Sequence, residues 1–191
     1  LDLDRRLAYV TRQDVDYYTF PLVVNEVFVD EADDSRPLPG GGRLSVGLLS
    51  ARSAVVGYAR RKQVTEQDLG SCDLQLPPSG FETVGVWLEL SGEDVQALAD
   101  GGHELLGSIH AVEHALIQLL PLYSLCDPHV AAGPSSPAHP DLEGPGIFLY
   151  VGYPGGVGIS ETAFERMEQL RAAVAETIAT CLCESGCPSC I

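Results

Sequence analysis

A chain of 191 residues makes one large domain or two small ones, and 45% hydrophobic residues suffice for a buried core. The formal charge of −16, from 27 acidic residues against 11 Lys and Arg, argues against strong non-specific binding to nucleic acid, because such a chain repels polyanions. No uninterrupted apolar run reaches membrane-spanning length.

Residues 1–90 read as a β-rich segment. The opening "LDLDRRLAYV" has neither an initiator Met nor a signal-peptide pattern, so the expectation is a partial or processed chain in a reducing cytoplasm, nucleoid-associated in a bacterium. "YYTFPLVVNEVFVDE" is one strand or two, with Val23, Val27, Phe28 and Val29 as candidate core. "DDSRPLPGGG" is a loop dense in Pro and Gly. "RLSVGLLSARSAVVGYARRK" predicts two strands meeting at Ser50–Ser53, and "LQLPPSG" a linker. In "FETVGVWLEL" alternation puts Phe81, Thr83, Gly85 and Trp87 on one side of a strand.

Residues 91–191 change character. Ser91 is placed to cap a helix with Glu93 and Asp94 in its first turn. "HELLGSIHAVEHALIQLLPLY" has apolar residues at 105, 106, 109, 112, 116, 119 and 120, which is helical spacing, and Pro121 ends or kinks it. "DPHVAAGPSSPAHPDLEGPG" predicts a long irregular loop, and "IFLYVGYPGGVG" a buried strand entering a glycine turn. "SETAFERMEQLRAAVAETIATC" predicts a second helix, capped by Ser160, with Phe164, Met167, Leu170, Val174 and Ile178 facing the core. Taken together the class is α+β: a β-rich segment, then a mixed domain with two long helices and a cysteine knuckle.

The chain ends "CLCESGCPSCI". Cys181, Cys183, Cys187 and Cys190 follow the pattern C-x-C-x3-C-x2-C, with Gly186 and Pro188 to turn the chain. In a reducing compartment four thiolates gathered so closely suit one tetrahedral Zn2+. Two disulfides, four thiols or an iron–sulfur cluster are the competing readings, although Cys181 and Cys183 are close for an easy bridge. Four protein ligands leave no open position, so the zinc would be structural. Cys72 and Cys126 stand apart and are expected as buried small residues.

"SIHAVEHALIQLLPLYSLCDP", "HPDLEGPGIFLYVGYPGGVGISETAFERMEQL" and "CLCESGCPSC", in that order, resemble the zinc-binding MZB domain of superfamily 2 DEAD/DEAH-box DNA helicases of the mitomycin repair factor A type. The resemblance runs from Leu105 to Cys190, and "AYVTRQDVDYYT", "VVGYARRK" and "LPPSGFETVGVWLEL" look like the β-rich segment before it. It implies the C-terminal region of an ATP-driven 3′-to-5′ DNA repair helicase, with zinc on the four cysteines. Implied partners are the motor domains of the same polypeptide, single-stranded DNA and a repair nuclease, with no membrane. ATP and Mg2+ would belong to the motor domains alone, because this chain has no G-x-x-x-x-G-K-[ST] loop and no DEAH-type box.

Other patterns compete. "HAVEH" spells the H-x-x-E-H of inverzincin metallopeptidases: His110 and His114 would share zinc, Glu113 would act as base, and Glu176 or Glu184 would be a third ligand. The plainer expectation is an internal polar cluster holding no metal, set by Ile109, Val112, Leu116 and Leu119 around it. "GYPGGVG" could cradle an anion at a helix start but lacks a phosphate-loop Lys. "HPD" at 139–141 reads as a turn stabilised by Asp141. Trp87 and Tyr58 are core before they are base-stacking platforms. Arg60, Arg61 and Lys62 are the one tight cationic cluster, with Arg5, Arg6 and Arg12 looser, so Arg60, Arg61 and Lys62 are the candidate DNA contacts. A protein-interaction module working through its acidic surface is a further reading.

Overall fold

In a computed structural model, residues 2, 4–127, 130–183 and 186–187 are described. The chain forms two compact units, Leu1–Val24 with Ser53–Pro78, and Asn25–Arg52 with Ser79–Ile191.

Two long strands contribute to both units: β1, Tyr17–Pro37, and β2, Arg43–Lys62. In the smaller unit β2 pairs antiparallel with β3, Asp68–Asp73, setting Tyr58 opposite Cys72. The sequence pattern missed β3, whose "DLGSCD" lacks alternation. The expected break at Ser50–Ser53 is absent, and β2 runs through as one strand. Ser50 Oγ donates to Asp30 Oδ2 at 2.7 Å, so a partner on β1 satisfies a polar residue that reads as a turn. Residues of "DDSRP" likewise lie in β1 rather than in a loop. The end of that strand is anchored by Arg36, which donates to the Phe164 carbonyl at 2.8 Å and lies 5.0 Å from the Phe164 ring centre. The true turn is tight: Leu38 N–H donates to the Gly42 carbonyl, and Gly40 and Gly41 take φ of 102° and 94°, where a side chain is strained.

The larger unit contains β4 (Ser79–Glu89), α1 (Gly92–Asp100), α2 (Leu105–Leu119), α3 (Pro121–Ser124), β5 (Ala131–Ala132), β6 (Ser135–Ser136), β7 (Gly146–Val151) and α4 (Ile159–Thr180). Strand order is β1-β2-β4-β7-β5, with β6 also on β7. The pairings of β7 with β4, β5 and β6 are all antiparallel, and that places the unit in the α+β class. Alternation along β4 and β7 divides the core in two. Val86, Leu88, Ile147 and Leu149 face one way and pack with Ile109 and Leu116 of α2 and Met167 and Leu170 of α4. Trp87 and Phe148, register partners with stacked rings 6.3 Å apart, face the other way with Val27, Leu49 and Ala51.

Of the candidate core on β1, Val27 is buried, but Val23 is 43% exposed. Ser91 caps α1 in a full capping box with Asp94. Glu104 caps α2 by accepting from Leu106 and Gly107. For α4 the expected cap is displaced: Gly158 is the N-cap, and the Ser160 hydroxyl is buried, donating to the Val84 carbonyl at 2.7 Å. Residues 105–124 are long and apolar enough to cross a membrane by length and composition, with a mean hydropathy of 1.3, although His110, Glu113 and His114 interrupt the apolar run. Ile109, Ala115 and Leu116 of this segment are buried in the core beside the sheet.

Candidate functional site

The last helix delivers the cysteines. Helix α4 ends at Cys181, whose extended φ and ψ of −67° and 130° turn the chain away from the helical path. Gly186 has φ of 86°, the left-handed conformation expected of a turn glycine between Cys183 and Cys187. Cys181 Sγ then lies 3.3 Å from Cys183 Sγ and 3.6 Å from Cys187 Sγ, and the three sulfurs are mutually within 4.8 Å. Four sulfurs at Zn–S of about 2.3 Å stand about 3.8 Å apart in a tetrahedron, and the two separations from Cys181 fall slightly short of that value. Cys190 and Pro188 lie outside the described residues, as does Glu184. Cys72 and Cys126 are half-buried rather than buried, and burial pushes the Cys126 thiol up.

"HAVEH" is only partly internal. Glu113 is buried, but the His110 side chain is 54% exposed, which corrects the expectation that both imidazoles lie inside. The buried positions of α2 are Ile109, Glu113, Ala115 and Leu116, and His110 is not among them. Glu113 Oε2 is 3.3 Å from His110 Nδ1 and accepts from Ser135 Oγ at 2.5 Å. A carboxylate so engaged is poorly placed to act as a peptidase base, and Glu176 is not part of the cluster. Burial, with the Glu113 carboxylate second, pushes the Tyr150 phenol up. Ser135 escaped the sequence reading because nothing local marks it; β6 pairing with β7 brings it to α2.

The basic cluster ends β2 in the smaller unit, where a register shift between Ala59 and Arg61 disturbs strict alternation. Arg61 lies 4.0 Å from Glu66 and over the Phe20 ring, Lys62 lies 3.9 Å from Asp16, and Arg60 donates to the Leu69 carbonyl at 3.3 Å. Each cation therefore has an acidic or carbonyl partner. Tyr58 is half-buried beside Cys72, whose hydrogen bond pushes its phenol up. Trp87 is core.

Two remaining motifs are architectural. Gly155 and Gly156 of the glycine turn spend their N–H groups on the Glu82 and Tyr153 carbonyls, leaving less for an anion. His139 and Asp141 clasp β1: His139 Nε2 is 3.0 Å from the Val27 carbonyl, and Asp141 accepts from Val29 N–H at 2.9 Å. An open apolar groove of about 800 Å³ between α1, α2 and α4 is lined by Leu98, Val112 and Ile178 among others, and accounts for Ile178 being 39% exposed.

The family model described as the MrfA Zn-binding domain, MZB, matches residues 112–191, which hold β5 to β7, α4 and the cysteines. This match covers less than half of the chain and makes residues 112–191 similar to that family. Residues 112–191 and the segment before them also match longer proteins over the whole chain. An uncharacterized ATP-dependent helicase, YprA, of Bacillus subtilis is 32% identical over 100% of this chain and 25% of its own length. The ATP-dependent helicase hrq1 of Schizosaccharomyces pombe is 24% identical over 100% of this chain and 19% of its own. A crystal structure of the DUF1998 helicase MrfA bound to DNA superposes with a TM-score of 0.73 at 29% identity, covering 100% of this chain and 25% of that one. The chain thus spans a quarter or less of these proteins and corresponds to the helicase-associated MZB region of MrfA- and Hrq1-type helicases.

Proposed function

We propose that this chain is the non-catalytic, zinc-stapled C-terminal region of an ATP-dependent 3′-to-5′ DNA repair helicase, and that it guides single-stranded DNA or positions the motor domains. The observation that carries the reading is the gathering of Cys181, Cys183 and Cys187 at the end of α4, within a chain that corresponds throughout to part of such helicases. One Zn2+, completed by Cys190, would fix the segment that follows α4. A reducing cytoplasm suits thiolate ligands. Hydrolysis of ATP would reside in motor domains elsewhere in the polypeptide, since this sequence contains no phosphate loop. The DNA-bound state of the MrfA relative supports DNA as the partner, with Arg61 and Lys62 as the cations best placed to exchange a carboxylate for a phosphate.

The test uses the polypeptide that joins this region to its motor. Cys181→Ser with Cys187→Ser should leave basal ATP hydrolysis and lower DNA unwinding. Unwinding unchanged after verified zinc loss, or a reading frame with no motor motifs, would overturn the proposal.

A further inference from the structure

A second group of metal-ligating side chains sits on α2. His110 and His114 are one helical turn apart on one face. Their Nε2 atoms are 3.2 Å apart, with ring centres at 4.4 Å and planes crossing at 87°. Two imidazole nitrogens each about 2.0–2.1 Å from one tetrahedral ion stand about 3.4 Å apart. The pair is therefore already at chelating distance.

Glu113 prepares it. Glu113 is 5% exposed, and a buried carboxyl group needs hydrogen-bond partners. Ser135 Oγ supplies one and His110 Nδ1 stands at 3.3 Å to supply another. With the proton held on Nδ1, His110 Nε2 keeps its lone pair, the arrangement by which a carboxylate behind an imidazole orients a metal-binding histidine. The same face of His110 that frustrated its burial gives an ion access, and water can fill the remaining coordination positions.

We infer that His110 and His114 bind one divalent late first-row transition ion, with zinc as its first candidate, at a site distinct from the cysteine cluster, and that Glu113 is the positioning residue. Imidazole pairs favour such ions, whereas Mg2+ and Ca2+ prefer oxygen ligands. Four thiolates can saturate only the cysteine site, so this ion is a second equivalent.

The experiment is a calorimetric titration of Zn2+ into the 191-residue chain already holding zinc on its cysteines, in excess Mg2+ to occupy surface carboxylates. Wild type should take a further equivalent. His110→Gln, at an exposed position that leaves the fold intact by circular dichroism, should abolish it. Glu113→Gln, which keeps the shape and a bond to Ser135, should weaken it by about 10–100-fold. The 3.2 Å contact is also that of a hydrogen bond between two neutral imidazoles. If that is all it is, wild type takes no second equivalent and the inference is overturned. A second equivalent that persists unchanged in His110→Gln overturns it equally, and unchanged affinity in Glu113→Gln overturns the role given to Glu113.

Discussion

Replacing Arg60, Arg61 and Lys62 together by Ala tests whether this acidic chain meets DNA at its one cationic cluster. Each phosphate neutralised on a single strand contributes about 0.7 to the slope of log affinity against log salt. Three engaged cations would contribute about 2.1. The structure narrows this. Arg60 is half-buried and tied to the Leu69 carbonyl, whereas Arg61 and Lys62 pair with exposed carboxylates at 4.0 and 3.9 Å. Such pairs are worth about 0–1 kcal/mol, so a phosphate can displace the carboxylate at little cost. The expected loss of slope is therefore about 1.4, from Arg61 and Lys62, rising to 2.1 only if Arg60 also turns outward.

The assay is fluorescence anisotropy of a labelled single strand between about 20 and 100 mM salt. A slope difference of 1.4 over that fivefold range is about a tenfold difference in how far affinity falls. Single substitutions should assign about 0.7 each to Arg61 and Lys62 and little to Arg60. Replacing Arg5, Arg6 and Arg12 removes the same number of charges elsewhere and controls for net charge. Equal slopes for wild type and the Arg60–Lys62 variant, or equal losses in the control, would refute local phosphate contact and leave the region an architectural role.

Three more outcomes are expected. Protein prepared without added metal should carry about one zinc per chain on Cys181, Cys183, Cys187 and Cys190, and Cys187→Ser should release it; under about half an equivalent by elemental analysis, or iron in its place, would contradict the assignment. Met167→Ala, at a fully buried position between α4 and the sheet, should cost about 2–5 kcal/mol in urea denaturation, and a loss below about 1 kcal/mol would mean that the α4 seam is not well packed. The Gly107 and Leu106 N–H groups hold the Glu104 carboxyl below its ordinary range, so its contribution is full above the unfolded-state value and lost as pH falls through the depressed folded one. Glu104→Gln should then flatten the acid limb of stability below about pH 5, and an unchanged limb would count against this cap.

What the sequence disclosed was chemistry held within a few residues. The cysteine spacing, the Gly186 turn and the Ser91 capping box all depend on neighbours, and each could be read directly. The misreadings share one cause. Ser50 and Arg36 resemble loop residues until Asp30 and Phe164 arrive from other elements to satisfy them. Strands β5 and β6 are two residues each, too short for any periodicity, and exist because β7 offers an edge.

The Glu113 cluster shows how a long-range element makes a site from a helical motif. On α2 alone, "HAVEH" provides two imidazoles and a carboxylate that would have to be buried without a hydroxyl donor. Ser135, 22 residues away, reaches that carboxylate because β6 pairs with β7, Ser135 standing opposite Ile147. That approach depends on Gly133: a Cβ there would sit 1.8 Å from the Phe148 carbonyl oxygen, which is backbone and cannot swing aside. A glycine in a Pro- and Ser-rich stretch that reads as irregular loop thus sets the distance between two strands. Through that distance it supplies the hydroxyl that lets Glu113 stay buried, and through Glu113 it orients His110 toward His114. The same three letters of chemistry, placed on a helix with nothing behind them, would make a weaker and less defined pair.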